Sequence, residues 1–288
     1  QNSYTTPFVH AAFGLVLPGA AASSGFSVPI AFDDSNFSPE ASLAYSPNEQ
    51  INYYLAYKTG FKSGGVSYSQ LPFLTDFFKL ASEDTSALVF DSETSKGFEV
   101  GVKSYLMNDN MRINATLYSY EYDNLQNQQL NPATFEFVTF NAGAVSNKGL
   151  EADMAYQTSV EGLSLRGSFA YTDTEYSSRF VNISGIDLNG QTRQNAPALS
   201  FNLGMDYLKP LSNGLEAYFG ATLYYSDDYT TSTAQQGTVN DFVQESFWRS
   251  DVVASIGAQN GQWQLSLAGR NLGDQIYTVD TTGRPGSL

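Results

Sequence analysis

Four carboxylates, Glu99, Glu151, Asp153 and Asp206, sit inside segments whose alternate positions are apolar. Two carboxyls brought to one bond could act as general acid and general base. The same segments carry Lys103, Arg112, Arg166 and Arg270, so the simpler expectation is ion pairing across neighbouring strands. Other chemistry has little to work with. A single histidine, His10, stands in an irregular N-terminal stretch and cannot alone build a triad or a multi-histidine metal centre. The absence of cysteine removes thiol nucleophiles, thiolate metal sites and disulfides, and there is no GxSxG, Walker or zinc motif. GFKSGG at 60–65 has the glycines of a phosphate loop, but it ends a charged segment and opens a long loop with no helix to follow. No enzymatic activity, cofactor or metal is expected.

Charge narrows the partners. The chain has 29 acids against 14 bases, a net charge of −15, so phosphate backbones are repelled and nucleic acid is not a partner. The acids gather between the apolar segments, at Asp76, Glu83, Asp84, Asp91 and Glu93 and again at Asp227, Asp228, Asp241 and Glu245. Solvated loop surface explains them; a cation site or contact with divalent-bridged lipopolysaccharide is the sharper reading.

The elements that must position these groups read as strands. Tyr (19) and Phe (20) far outnumber Trp (2), glycine is plentiful at 24, and only 15% of residues are charged, which fits an all-β chain with two unlike faces. A period of two recurs from residue 37 onward. Ile51, Tyr53, Leu55 and Tyr57 oppose Asn52 and Lys58; Met111, Ile113, Ala115 and Leu117 oppose Arg112, Asn114, Thr116 and Tyr118. The pattern repeats through 199–207 and 215–226 to Trp263, Leu265 and Leu267, giving about ten strands. The apolar run 8–32 is neither signal peptide nor membrane helix, because no Lys or Arg precedes it and Pro18 and Pro29 break it below spanning length.

The links between strands sort by length. Tight turns such as SPNEQ, MNDN, SVEG, LSNG and QNGQ alternate with long connections near 63–92, 124–136, 177–196 and 230–245. In an antiparallel meander every second link lies at the same end, so all turns fall at one end and all long loops at the other. Transmembrane β-barrels show this asymmetry, and soluble sandwiches have no reason to. The apolar face then meets lipid and the polar face a lumen. Tyr45, Tyr53, Tyr118, Tyr120, Tyr225 and Tyr229, near strand ends, suit aromatic girdles at the two interfaces.

Three stretches carry a resemblance: FSPEASLAYSPNEQINYYLAYKTGFKSGG, FEVGVKSYLMNDNMRINATLYSYEYDNLQ, and NAGAVSNKGLEADMAYQTSVEGLSLRGSFAYTDTEY. With the closing WQLSLAGRNLGDQIY, they resemble the barrel of TonB-dependent outer-membrane receptors over residues 37–277. The resemblance implies a barrel of about 22 strands around an N-terminal plug, with a TonB box before the plug. Counted from the end, 37–45 is the twelfth strand and 263–271 the twenty-first on that scheme. Residues 1–36 then belong to an extracellular loop or upstream segment and 278–288 begin the last extracellular loop, so the chain reads as an internal fragment lacking plug, box and last strand. Taken alone it would form an open, curled sheet.

The resemblance implies energised uptake of a scarce nutrient, foremost a ferric siderophore, across the outer membrane of a Gram-negative bacterium. The partners it implies are outer-membrane lipid and lipopolysaccharide, the plug, and the TonB-ExbB-ExbD complex through the box. Ligand contacts are expected among the loop aromatics Tyr68, Phe73, Phe77, Phe78, Phe135, Phe137, Tyr229 and Phe242. Glu99, Lys103, Arg112, Glu151, Asp153, Arg166, Asp206 and Arg270 are expected to face lumen and plug. A passive porin or structural barrel is the alternative, with a soluble lectin-like fold a weaker third that the Leu/Phe/Val stripes oppose.

Overall fold

The computed structural model describes residues 3–4, 30–31, 33–67, 89–131, 136–182, 184–233, 236–238 and 241–279. Ten strands form one antiparallel sheet in sequence order. They are β1 (Glu40–Asn48), β2 (Ile51–Lys62), β3 (Glu93–Leu106), β4 (Met111–Asp123) and β5 (Val145–Gln157). Continuing, they are β6 (Leu163–Tyr176), β7 (Leu199–Pro210), β8 (Leu215–Ser226), β9 (Phe247–Ala258) and β10 (Gln264–Gly269). The sheet is open, with β1 and β10 at its edges. Links 49–50, 107–110, 158–162, 211–214 and 259–263 share one end, and 63–92, 124–144, 177–198 and 227–246 share the other.

Register shows why the alternation matters. Leu43 pairs with Leu55, Leu55 with Val100, Val100 with Leu117, Leu117 with Leu150 and Leu150 with Tyr171. A second row runs Ala152, Phe169, Phe201, Tyr225, Trp248. Phe201, Tyr225 and Trp248 form a packed aromatic triplet, with ring centroids 4.8–5.3 Å apart. This apolar face is bare: Leu43 is 69% exposed and Leu267 78%. An apolar surface continuous over ten strands is far larger than the patches a water-facing sheet carries, and the ladder pairs the backbone groups between neighbouring strands.

Several strands run longer than the periodicity shows. β3 begins at Glu93 and β5 at Val145, and β6 continues to Tyr176, each extending toward the long-loop end. A strand of 13 or 14 residues exceeds the 9–11 or so that a tilted strand needs to cross hydrocarbon.

On the polar face, tyrosines lie flat over glycines of the next strand. Tyr54 pairs with Gly101, and a Cβ there would stand 2.5 Å from the ring's Cζ. Tyr118 pairs with Gly149, where a Cβ would run into both its hydroxyl and the Tyr171 carbonyl oxygen. The phenols then reach along the wall, Tyr54 to Thr116 Oγ1 at 2.7 Å and Tyr118 to Thr172 Oγ1 at 3.2 Å. Tyr118 and Tyr120 therefore do not belong to a lipid-facing girdle: they share the parity of Thr116, not of Leu117, and Tyr120 donates to Glu99 Oε1 at 2.5 Å. Tyr229, also assigned there, lies in a loop hairpin with Val243–Gln244.

Candidate functional site: the polar wall and the loop collar

The charged candidates in β3 to β7 share the polar face, but their partners are set by register. Arg112 donates to Asp153 Oδ2 at 3.1 Å, and Asn114 also donates to that carboxylate at 3.0 Å. Arg166 pairs with Asp206, which accepts further from the Tyr218 hydroxyl at 2.5 Å. Glu99 departs from the expected set. Its cation is Lys58 at 2.8 Å, one strand away on β2, while Lys103 lies over the Tyr54 ring, 5.7 Å from its centre. The side chains of Glu151 and Arg270 make no hydrogen bond or ion pair among the described residues. A depression of 420 Å³ opens on this face, lined by Glu151 with Asn114, Thr116, Ser168, Asn202 and Tyr224 among others.

Above the wall, the long links form a collar. Link 124–144 is not an unstructured loop: Gln126–Asn131 and Glu136–Asn141 pair as a hairpin, and Phe137 stands on it rather than in a loop, 55% exposed. Its base packs against link 177–198 in an apolar cluster of Leu125, Ala142, Val145, Tyr176, Phe180 and Leu188. Phe180 stacks on Phe140 at 5.8 Å and meets Tyr176 at 5.0 Å.

Side-chain amides join link 124–144 to link 63–92, and link 177–198 to link 227–246. Gln126 Nε2 donates to the Ser63 and Asp91 carbonyls at 2.9 and 3.2 Å, and Asn141 Nδ2 to Asp91 O at 3.0 Å. Asn182, 3% exposed, donates to Thr233 O and Gln236 O at 3.0 and 3.1 Å and accepts from the Ser184 and Ile186 amides. Gln236 Nε2 returns a bond to Thr192 O at 2.7 Å, and Tyr229 closes onto Thr278 O at 2.9 Å. Burial raises the Tyr229 phenol above its ordinary pKa, and the phenols of Tyr224 and Tyr277 add to the shift. It therefore stays protonated, as a donor, through neutral pH.

Truncating Asn182 to alanine orphans the buried Thr233 and Gln236 carbonyls, at about 1–3 kcal/mol for each left unsatisfied. The expected result is faster hydrogen exchange and proteolysis across 227–246 with the β-sheet spectrum unchanged. Unaltered exchange there would show that the amide does not hold the collar.

Of the aromatic candidates, Phe137 and Phe242 are half-exposed and Tyr229 is engaged within the collar. Tyr68, Phe73, Phe77, Phe78 and Phe135 lie outside the described residues, as do Asp76, Glu83, Asp84, His10, most of 1–36 and 280–288. Among the described residues no group of three or more His, Cys, Asp or Glu could hold a metal.

A sheet of overlong strands with tight turns at one end and long links at the other has counterparts. A family model described as TonB dependent receptor-like, beta-barrel matches residues 16–272. The chain belongs to the TonB-dependent receptor β-barrel family. This receptor segment is similar in fold to the ferric yersiniabactin uptake receptor FyuA from Yersinia pestis, at TM-score 0.66 and 15% identity over 88% of the segment and 35% of that chain. It is likewise similar to the siderophore receptor PiuA from Acinetobacter baumannii, at 0.64 and 20% identity over 92% of the segment and 35% of that chain. The ferric-catecholate import receptor Fiu from E. coli K12 matches at 0.64 and 16% identity, over 97% of the segment and 37% of that chain. The receptor segment thus spans little more than a third of each of these chains.

Proposed function

We propose that the protein carrying this segment takes up a scarce nutrient, a ferric siderophore, across a Gram-negative outer membrane by an energised mechanism. The family match carries the reading, and three fold relatives, described as a ferric yersiniabactin uptake receptor, a siderophore receptor and a ferric-catecholate import receptor, support it. In this reading the apolar face meets lipid and lipopolysaccharide, and Glu99, Lys103, Arg112, Glu151, Asp153, Arg166, Asp206 and Arg270 face lumen and plug. Glu151, without a cation in the wall, accepts a basic group from the plug, which the TonB-ExbB-ExbD complex pulls through its box. Residues 1–36 and 278–288 belong to the connections that flank the wall, and loop aromatics including Phe137 and Phe242 meet the ligand.

The test is uptake of radiolabelled ferric chelates by iron-starved cells expressing the full-length receptor. Accumulation should vanish when TonB is deleted from the host. Undiminished accumulation without TonB would replace the energised reading with passive diffusion.

A further inference from the structure

At the collar end of β8, β9 and β10 the polar wall changes character. Tyr224 pairs with Arg249 across the β8–β9 register, and the guanidinium carbon lies 5.7 Å from the ring centre. Phe247, two residues earlier on the same face of β9, is buried between Tyr224, at 5.8 Å, and Tyr277, against which it stacks at 4.8 Å and 4°. The phenol of Tyr277 is 3.5 Å from Arg249 Nη1. Three aromatic rings and one guanidinium therefore occupy a single corner beneath the mouth.

The arginines of this corner are less fully paired than those lower in the wall. Arg112 and Arg166 each hold a carboxylate in a direct charged hydrogen bond or contact. Arg249 reaches only to 3.7 Å from Asp251, and its Nε is buried without a hydrogen-bond partner. Asp251 is already engaged by the Asn271 amide at 2.7 Å. Val252 pairs with Gly269, so the chain places Arg270 at the level of Asp251, where it is exposed and makes no ion pair among the described residues. Among the described residues Asp251 is thus the carboxylate within 4.0 Å of Arg249, and it makes no hydrogen bond to the Arg249 Nε.

We infer that Arg249, Arg270, Tyr224 and Tyr277 form a binding site for an anionic, oxygen-rich chelate bearing planar aromatic groups. A guanidinium with unused N–H donors takes paired oxyanion oxygens in its plane, and the adjoining rings offer stacking surface for the flat part of the same ligand. The depression lined by Tyr224, Asn202 and Glu151 continues down the wall from this corner. The inference rests on the uptake reading and gives it a ligand class, anionic and aromatic rather than neutral.

The experiment measures equilibrium binding of two iron-55 probes to the full-length receptor in outer-membrane vesicles. One probe is the anionic iron(III) tris-catecholate of 2,3-dihydroxybenzoate and the other a neutral iron(III) tris-hydroxamate. The wild type should prefer the catecholate, and Arg249→Gln should weaken that binding about tenfold or more, the value of a charged hydrogen bond. Arg249→Lys should restore part of it, and Lys209→Gln, on β7 at the turn end, should leave it unchanged. Heat-modifiable mobility on a gel shows that each variant is folded. Catecholate affinity equal in folded Arg249→Gln and wild type overturns the site. Preference for the hydroxamate overturns the ligand class while siderophore uptake stands. Binding of neither probe, with no ferric chelate accumulated by cells, removes the uptake reading and this inference with it.

Discussion

Replacing Phe169 with arginine is expected to abolish assembly of the full-length receptor into a membrane, whereas Ser168→Arg, one residue earlier, should assemble near wild-type levels. Phe169 stands mid-strand between Ala152 and Phe201 on the apolar face. A guanidinium at that depth costs about 2–4 kcal/mol in hydrocarbon, and the lost aromatic packing adds to it. Ser168 stands on the other face, level with Asp153 and Asn202, where a new guanidinium finds an anion and water. Heat-modifiable mobility of membrane fractions reads both outcomes, and equal folded yields would reverse the assignment of lipid and lumen faces.

A second large effect is expected at Gly149. Adding one methyl there meets the ring of Tyr118, whose Cζ would be 2.6 Å away, and the main-chain carbonyl of Tyr171. A ring can tilt aside; a carbonyl held in the ladder cannot. Gly149→Ala should therefore destabilise the barrel by about 3 kcal/mol, the upper part of the overpacking range. Adding Tyr118→Ala should recover little of the loss. At Gly101 the three nearest atoms all belong to the Tyr54 side chain, so Gly101→Ala should be largely rescued by Tyr54→Ala. Urea unfolding of the two single and two double variants distinguishes the cases; full rescue at Gly149 by Tyr118→Ala would show that the carbonyl is not the obstacle.

The wall was legible because one physical rule governs every residue in it. A position such as Leu117 or Phe169 meets either lipid or the polar side, and the period of two records the choice. The same parity assigns Tyr118 and Tyr120 to the polar face, a signal present in the chain that their closeness to a strand end obscures. Lys58 as the partner of Glu99 needed more than parity, because it depends on how far β2 is offset against β3. The collar left no pattern at all. Several of its bonds join Asn and Gln side chains to carbonyls 44 to 63 residues away, and such residues look the same in a loop that floats free. Arg249 was equally silent, since its significance comes from neighbours on three different elements.

The bonds that fasten the collar are lopsided in kind. Gln126, Asn141, Asn182 and Gln236 give side-chain amides, while Ser63, Asp91, Asn124, Thr192 and Thr233 receive them on main-chain oxygens. Any amino acid supplies a carbonyl, so the receiving positions are free to drift as far as these bonds are concerned, while the giving positions are held. The rim can thereby exchange the side chains at those receiving positions over generations while these bonds keep their places.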